Sequence, residues 1–450
     1  MITVWAAARL EAVTNERISV VLPRSAAFWL MGGILALLMI ASSAPSPLYD
    51  VYQQAWHFPA TTLTAVFAVY AVALLSALLV TGRLSDHVGR RPVIIAALVA
   101  EGAGMGCFVA AHSVPLLYLA RVLQGLATGA ATGAISASLI ELQPRDRPQL
   151  GSLVNSSAPT IGLAVGAAGA SILVQYAPAP LRLVYWLLLA ASVLGIIGTA
   201  LAGEPGKRRP GALASLRPDV GVPRAARRAF CAALPCLIAT WALGGLYLSL
   251  GPSIASAILR TGNHVASGLI IVVLSGVSAV AAIAFRGSRP RQAMCVGCLL
   301  LAAGVAGTVV SIAASSGTGF FLATAVAGFG FGLAFLGVFR TLSALAPAHA
   351  RAGLIATIYV VSYLAFGLPV IAAGIAVTHI GLRDTAIGYG IVVAVLAAAA
   401  GLATAFMTGR GADPAGHAEL PPPGPCSVPM CLSAPQPAPA PAAAAAPAGR

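Results

Sequence analysis

The sequence predicts an all-α integral membrane protein in which twelve transmembrane helices form two pseudo-symmetric six-helix bundles. Composition is the first reason. A chain of 450 residues that is 59% hydrophobic and only 8% charged, with a mean hydropathy of +0.91, carries more apolar surface than a soluble globule can bury. Segment length is the second. Uncharged or nearly uncharged runs occupy 27–49, 60–80, 92–112, 115–140, 149–173, 183–203, 230–252, 264–285, 293–314, 318–344, 351–376 and 383–408, and ~20 residues at 1.5 Å rise cross a ~30 Å hydrocarbon core. None alternates with period two, so helices rather than barrel strands are expected. The third is an internal repeat. An offset of 203 residues sets Gly125, Gly129 and Pro144 on Gly328, Gly332 and Pro347, and an offset of 205 sets Gly82, Gly162 and Gly169 on Gly287, Gly367 and Gly374. Two six-helix halves are what such a duplication leaves.

A net charge of +14 would point to nucleic acid in a soluble protein, but its placement here points to topology. With both termini inside the cell, every Lys and Arg except Arg121 and the external-loop Arg182, Arg260 and Arg383 falls on the cytoplasmic side, as the positive-inside rule requires. The partner this charge implies is the lipid bilayer, and no nucleic acid is expected. Lys207, Arg208, Arg209, Arg217, Arg224, Arg227 and Arg228 crowd the loop between the sixth and seventh segments, where they read as an anchor on anionic lipid heads.

The chain therefore divides into a cytoplasmic N-terminal segment (1–26), a first bundle (27–203), a basic cytoplasmic linker (204–229), a second bundle (230–408) and a Pro/Ala-rich tail (409–450) expected to be disordered. The first apolar run is too long for a signal h-region, so no cleavable signal is expected. It ends in A-P-S-P-L-Y-D, where Pro45 and Pro47 break the helix near the outer surface and Asp50 reaches water. The second segment carries Tyr70 and Ser76 and runs into a charged turn. Pro92 then starts the third at the first helical position, where a missing N–H does no harm. Glu101 lies ten residues beyond Arg91, hence ~15 Å deep, and an ionisable group near the midplane marks a functional site by default.

The fourth segment is the most informative. Arg121, Gln124, Thr128, Thr132 and Ser136 share one helical face, beside a ridge of Gly125, Gly129 and Gly133 that lets a neighbouring helix approach closely. The polar side is expected to face water or substrate while the glycine side packs. Arg121 stays charged at any relevant pH, so it needs a cavity, a carboxylate or carbonyls, and it should sit roughly 5 Å from the level of Glu101. Asn155, Ser156, Ser157 and Pro159 open the fifth segment. In the second half, Trp241 and Tyr247 on the seventh segment and Tyr359, Ser362, Tyr363 and Phe366 on the eleventh, with Tyr70 from the first half, are candidates to line a substrate cavity. Lipid or core packing explains these aromatics equally well.

Several chemistries are missing from the sequence. It contains no Walker loop, no H-E-x-x-H, no G-x-S-x-G and no paired carboxylates, so no catalytic residue, cofactor or metal is expected and any uphill work must come from an ion gradient. Glu101 is the natural proton site, with a structural partnership to Arg121 as the alternative. Seven cysteines make no disulfide framework. Cys295 and Cys298 form a C-x-x-C with no second pair or histidine at metal spacing, and the membrane cysteines read as small, inert hydrophobes.

The charged turn reads G-R-L-S-D-H-V-G-R-R from Gly82 to Arg91. Gly82, Leu84, Ser85, Asp86, Gly89, Arg90 and Arg91 resemble G-x-L-[SA]-D-x-x-G-R-[RK], the signature loop of the major facilitator superfamily. Only His87 departs, at a position usually occupied by Arg. L-A-R-V-L-Q-G around Arg121 resembles a second motif, associated with proton-linked members. On the fifth segment the family's antiporter motif expects Gly-Pro, whereas Gly166 is followed here by Ala167. The resemblance covers 27–408 and implies a monomeric secondary transporter of the cell or inner membrane that moves a small organic solute by alternating access. Proton-coupled efflux is the first expectation, and a proton-symport importer or uniporter is the alternative. A non-transporting receptor or scaffold is the rival class. The resemblance further implies that Gly82, Asp86, Gly89, Arg90 and Arg91 form a latch joining the cytoplasmic ends of the two halves in the outward-open state. Arg121, Glu101, Gln124, Thr128, Thr132 and Asn155 are the corresponding candidates for coupling and cavity lining.

Overall fold

Long apolar helices set the architecture, and where each one stops depends on which backbone groups find partners. The computed structural model describes residues 22–82, 84–147, 149–204, 220–345 and 351–408. Most of the N-terminal segment, Arg83, the Lys207–Arg217 part of the linker and the tail with Cys426 and Cys431 lie outside these residues. The spans are α1 (Arg24–Ser43), α2 (Ala60–Thr81), α3 (Arg90–Val109), α4 (Val114–Leu142), α5 (Leu150–Tyr176), α6 (Leu183–Leu201), α7 (Arg227–Ser249), α8 (His264–Ala284), α9 (Pro290–Ala313) and α10 (Gly317–Leu345). A last helical stretch, Arg351–Thr408, breaks at Gly381, whose φ of 82° favours glycine. The break divides it into α11 (351–380) and α12 (382–408), which completes twelve spans. No strand occurs among the described residues.

Two boundaries differ from the sequence reading, each for a local reason. After α1 the prolines do break the helix, but a 3-10 turn (Ser46–Leu48) and a further helix (Tyr49–Trp56) carry the chain on. Asp50 is consequently half-buried rather than free in water, and it accepts from Ser253 Oγ at 2.7 Å and Ser256 Oγ at 3.2 Å. In α3 the helix begins at Arg90, so Pro92 is the third residue and not the first. The Glu204 carboxylate accepts from the backbone N–H of Arg90 at 2.7 Å and of Arg91 at 3.1 Å, which caps two N-terminal donors and lets a turn form ahead of the proline.

The internal repeat reappears as repeated packing. In the first half Gly125 and Gly129 of α4 rest on the carbonyls of Tyr70 and Leu74 in α2, and in the second Gly328 and Gly332 of α10 rest on those of Leu274 and Ser278 in α8. A Cβ at any of the four would collide with that backbone. Such contacts fix helix pairs by close van der Waals approach, because apolar burial gives no drive between helices in lipid.

The halves meet at the end opposite the signature loop. There α8 packs on α5 and α11 on α2, two helix pairs related by the repeat, through Gly268 against Ser171 Oγ and Gly374 against Thr64 Oγ1. In one the α8 residue is the glycine, and in the other its repeat mate on α2 carries the side chain. Gln175 Oε1 also accepts from His264 N at 2.8 Å, and the rings of Phe67 and Phe366 stand 5.0 Å apart. At the signature end the hydrogen bonds among described residues stay within a half, as in Leu22 N to Leu201 O at 3.0 Å and Arg340 Nη1 to Arg286 O at 2.7 Å.

Gly268→Ser should prise the far end apart and raise several-fold the maleimide labelling of a cysteine placed at Ser256 in a chain lacking its own cysteines. Adding Ser171→Gly, which hands the side chain to the opposite helix as in the Thr64 contact, should return the rate to its starting value. Labelling that ignores Gly268→Ser would show that the contact does not hold the ends together.

Candidate functional site

Burying a guanidinium in an apolar bundle requires acceptors, and the break after α1 supplies them. The carbonyl of Ala41 would pair with the N–H of residue 45 in a continuous helix, but residue 45 is proline and has none. Gln124 Nε2 donates to Ala41 O at 2.8 Å instead. Arg121 Nη1 donates to Ser42 O at 3.0 Å and to Gln124 Oε1 at 2.6 Å, and its Nε donates to Tyr49 Oη at 2.5 Å. The guanidinium carbon lies 5.3 Å from the ring centres of both Tyr49 and Tyr70 and 5.9 Å from that of Phe108, within cation–π range.

Glu101 joins this network through an intermediary. Gln124 Nε2 reaches Glu101 Oε1 at 3.3 Å, so the partnership with Arg121 that stood as the alternative role for Glu101 is made through a relay, in which one amide bridges the two side chains. Glu101, Arg121, Gln124 and Thr128 are fully buried. This face of α4 is turned into the first half against α1, α2 and α3, and not toward open water. Among the described residues Glu101 Oε2 and Arg121 Nη2 have no hydrogen-bond partner. Thr132 Oγ1 bonds its own helix at Thr128 O, 2.6 Å away, and Asn155 Oδ1 accepts from Ser136 Oγ at 2.7 Å across α4 and α5. These two stand apart from the relay.

The signature residues form a second cluster. Ser85–Val88 is a single helical turn, and Gly89 follows at φ 113°, a conformation open to glycine. That corner aims Arg90 back so that it pairs with Asp86 at 2.5 Å and Glu141 at 3.0 Å while Nη1 donates to Ser85 Oγ at 2.7 Å. Arg91 donates to Ala200 O, and Arg24 to Glu141 O. Gly82 abuts Gly133 of α4. All of these partners belong to the first half.

The aromatics divide. Trp241 stands 5.1 Å from Tyr363, 5.7 Å from Phe335 and 5.8 Å from Phe366, and Tyr359 is 6.3 Å from Tyr363. Phe366 touches Phe67 of the first half, so this group borders the interface on which Tyr70 also lies. Tyr247 is separate: its hydroxyl pairs with Thr324 Oγ1 at 2.9 Å and its ring stacks on Phe320. At the far end a cavity of about 290 Å³ is lined by Asp50, Gln54, Ser256, Arg260, His264 and Ser267. Residues missed by the sequence reading are Ser42, Tyr49, Glu141 and Glu204. Pro45 was the available signal for the first two, because a broken helix end leaves carbonyls to be used.

Gln124→Leu keeps the volume but removes both halves of the amide, leaving Glu101 Oε1 and Ala41 O without this donor and Arg121 without one of its three acceptors, at about 1–3 kcal/mol for each buried group left unsatisfied. The variant should lower the unfolding temperature in detergent by several degrees. Thr132→Val, whose hydroxyl serves only its own helix, should not. Equal losses in the two variants would show that Gln124 is not the bridge.

No curated protein matches the chain. Solved structures that resemble it include the human organic anion transporter MFSD10 (TETRAN), at 15% identity and TM-score 0.62, covering 84% of this chain and 100% of that one. A POT family transporter in complex with 5-aminolevulinic acid aligns at 12% identity and TM-score 0.66, covering 83% and 94%. A bacterial homolog of the human lysosomal transporter Spinster, inward-facing and unoccupied, aligns at 14% identity and TM-score 0.70, covering 87% and 99%. At these identities the likeness is one of fold. The family model of the Major Facilitator Superfamily matches residues 28–368, and the chain belongs to that superfamily of transmembrane transporters.

Proposed function

We propose that this transporter is a secondary active carrier that exports a small organic solute in exchange for protons by alternating access. The observation that carries the reading is the buried relay from Glu101 through Gln124 to Arg121. A carboxylate enclosed at mid-membrane beside a fixed cation can exchange a proton only when the surrounding helices move, which ties its titration to a conformational step. The absence of a nucleotide-binding motif from the sequence leaves an ion gradient as the source of work.

Orientation supports the same picture. We place the carrier in the cell or inner membrane as a monomer with both termini cytoplasmic, following the positive-inside rule. The joined far end is then external and the state described is inward-facing. In this state Arg90 pairs with Asp86 and Glu141 within the first half. We assign the signature residues their latch role in the opposite state, where the signature ends of the halves come together. The aromatic group around Trp241 and Tyr363 is the proposed solute wall. One observation favours the second reading, import or uniport: Gly166 is followed by Ala167 where the antiporter motif of the family carries proline.

The test is solute-dependent proton flux in liposomes containing the purified protein, screened against a library of small organic solutes. Glu101→Gln should abolish proton-driven accumulation and leave downhill solute exchange intact. Adding Arg121→Gln should not bring accumulation back. Full pH-dependent accumulation by Glu101→Gln would remove Glu101 from coupling. Flux inward along the proton gradient would replace export with symport.

A further inference from the structure

Two cysteines far apart in sequence meet in the core of the second half. Cys236 of α7 and Cys298 of α9, separated by 62 positions, have their sulfurs 2.9 Å apart, and both side chains are buried. Two sulfurs in ordinary contact stand roughly 3.6 Å apart, and a disulfide closes to ~2.05 Å, so this pair lies within an ångström of bonding distance. From sequence both read as small, inert hydrophobes, and Cys295, three positions before Cys298 in the chain, does not face it. Cys295 instead turns to the carbonyl of Gly401 at 3.6 Å, which leaves Cys298 directed at α7. A second observation gives the contact a consequence. Pro235 lies inside α7 immediately before Cys236, and its missing N–H deprives the Cys231 carbonyl of a helical partner, so α7 bends most easily at that point.

We propose that Cys236 and Cys298 are a redox modification site, at which a membrane-permeant hydroperoxide drives formation of a disulfide that staples α7 to α9 at the Pro235 bend. The step balances with hydrogen peroxide as oxidant. One thiol gives up its proton and the thiolate attacks a peroxide oxygen, breaking the O–O bond; the hydroxide that leaves takes up that proton, giving a sulfenic acid and one water. The sulfur of the second thiol then displaces the hydroxyl from that sulfenic acid, forming the S–S bond and a second water. Two thiols thereby lose two protons and two electrons, and the peroxide takes them up. Because both cysteines lie in the same half, the staple stiffens α7 without tying one half to the other.

The test uses the full chain in liposomes treated with hydrogen peroxide, followed by denaturation, alkylation of free thiols and peptide mass measurement. Cys236 and Cys298 should leave the alkylated pool together, ahead of Cys107, as a linked peptide two hydrogen masses lighter, and dithiothreitol should restore both. Backbone amide exchange over residues 227–240 should slow on oxidation and recover on reduction. In Cys298→Ser no linked peptide should form and the exchange should not respond. Separate oxidation of the two cysteines to sulfinic acids would overturn the proposal. So would a link to Cys295, or both thiols still free after Cys107 has reacted.

Discussion

Burial of the Arg121 guanidinium is the constraint around which the first half is arranged. The charge cannot be discarded by deprotonation, so the helices around it must present acceptors in a region without water. Each acceptor comes from a different piece of chain: Ser42 O from the end of α1, Tyr49 Oη from the helix that resumes after the proline break, and Gln124 Oε1 from α4 itself. Gln124 in turn ties in Glu101 of α3. A single cation thus joins three spans, and a carboxylate is held beside it without direct contact. Replacing any member changes the demands on the rest, which is how a site can respond to a proton and remain folded.

The two halves use their duplicated architecture differently. Glycine-to-carbonyl packing of α4 on α2 and of α10 on α8 is the same in both, and it makes each half stiff enough to move as a body. The chemistry is not shared. Charges gather in the first half, at Glu101, Arg121 and the Asp86–Arg90–Glu141 cluster, while the second half presents Trp241, Tyr363 and Phe366. In the proposed carrier one half senses the proton and the other offers the solute an apolar wall. The interface joins them where Phe67 meets Phe366.

Hydropathy made the helices legible, since runs of twenty apolar residues have few other fates. Their ends were less so. Pro92 looked like a helix start, but the structure begins α3 two residues earlier because Glu204, more than a hundred positions away, caps Arg90 and Arg91. No local pattern predicts a cap supplied from that distance. The polar face of α4 was visible from spacing, and its enclosure was not, because periodicity reports which residues share a side and says nothing of what covers that side. The bridge between Arg121 and Glu101 was hidden for the same reason: height along the membrane normal could be counted, but the position of the Gln124 amide between them could not. Cys236 and Cys298 show the limit from the other side, since their meeting depends on how α7 lies against α9 and leaves no trace in spacing.

The central claim is that the two halves open one end only as they close the other. Double electron–electron resonance reads this directly, with spin labels at Asp146 and Arg289 across the signature end and at Gln54 and Thr261 across the far end, in protein reconstituted in lipid. The account predicts two distance populations at each end that trade weight in opposite directions when the pH or the Gly268 contact is changed. A single unshifting distance at both ends, or both ends widening together, would contradict it.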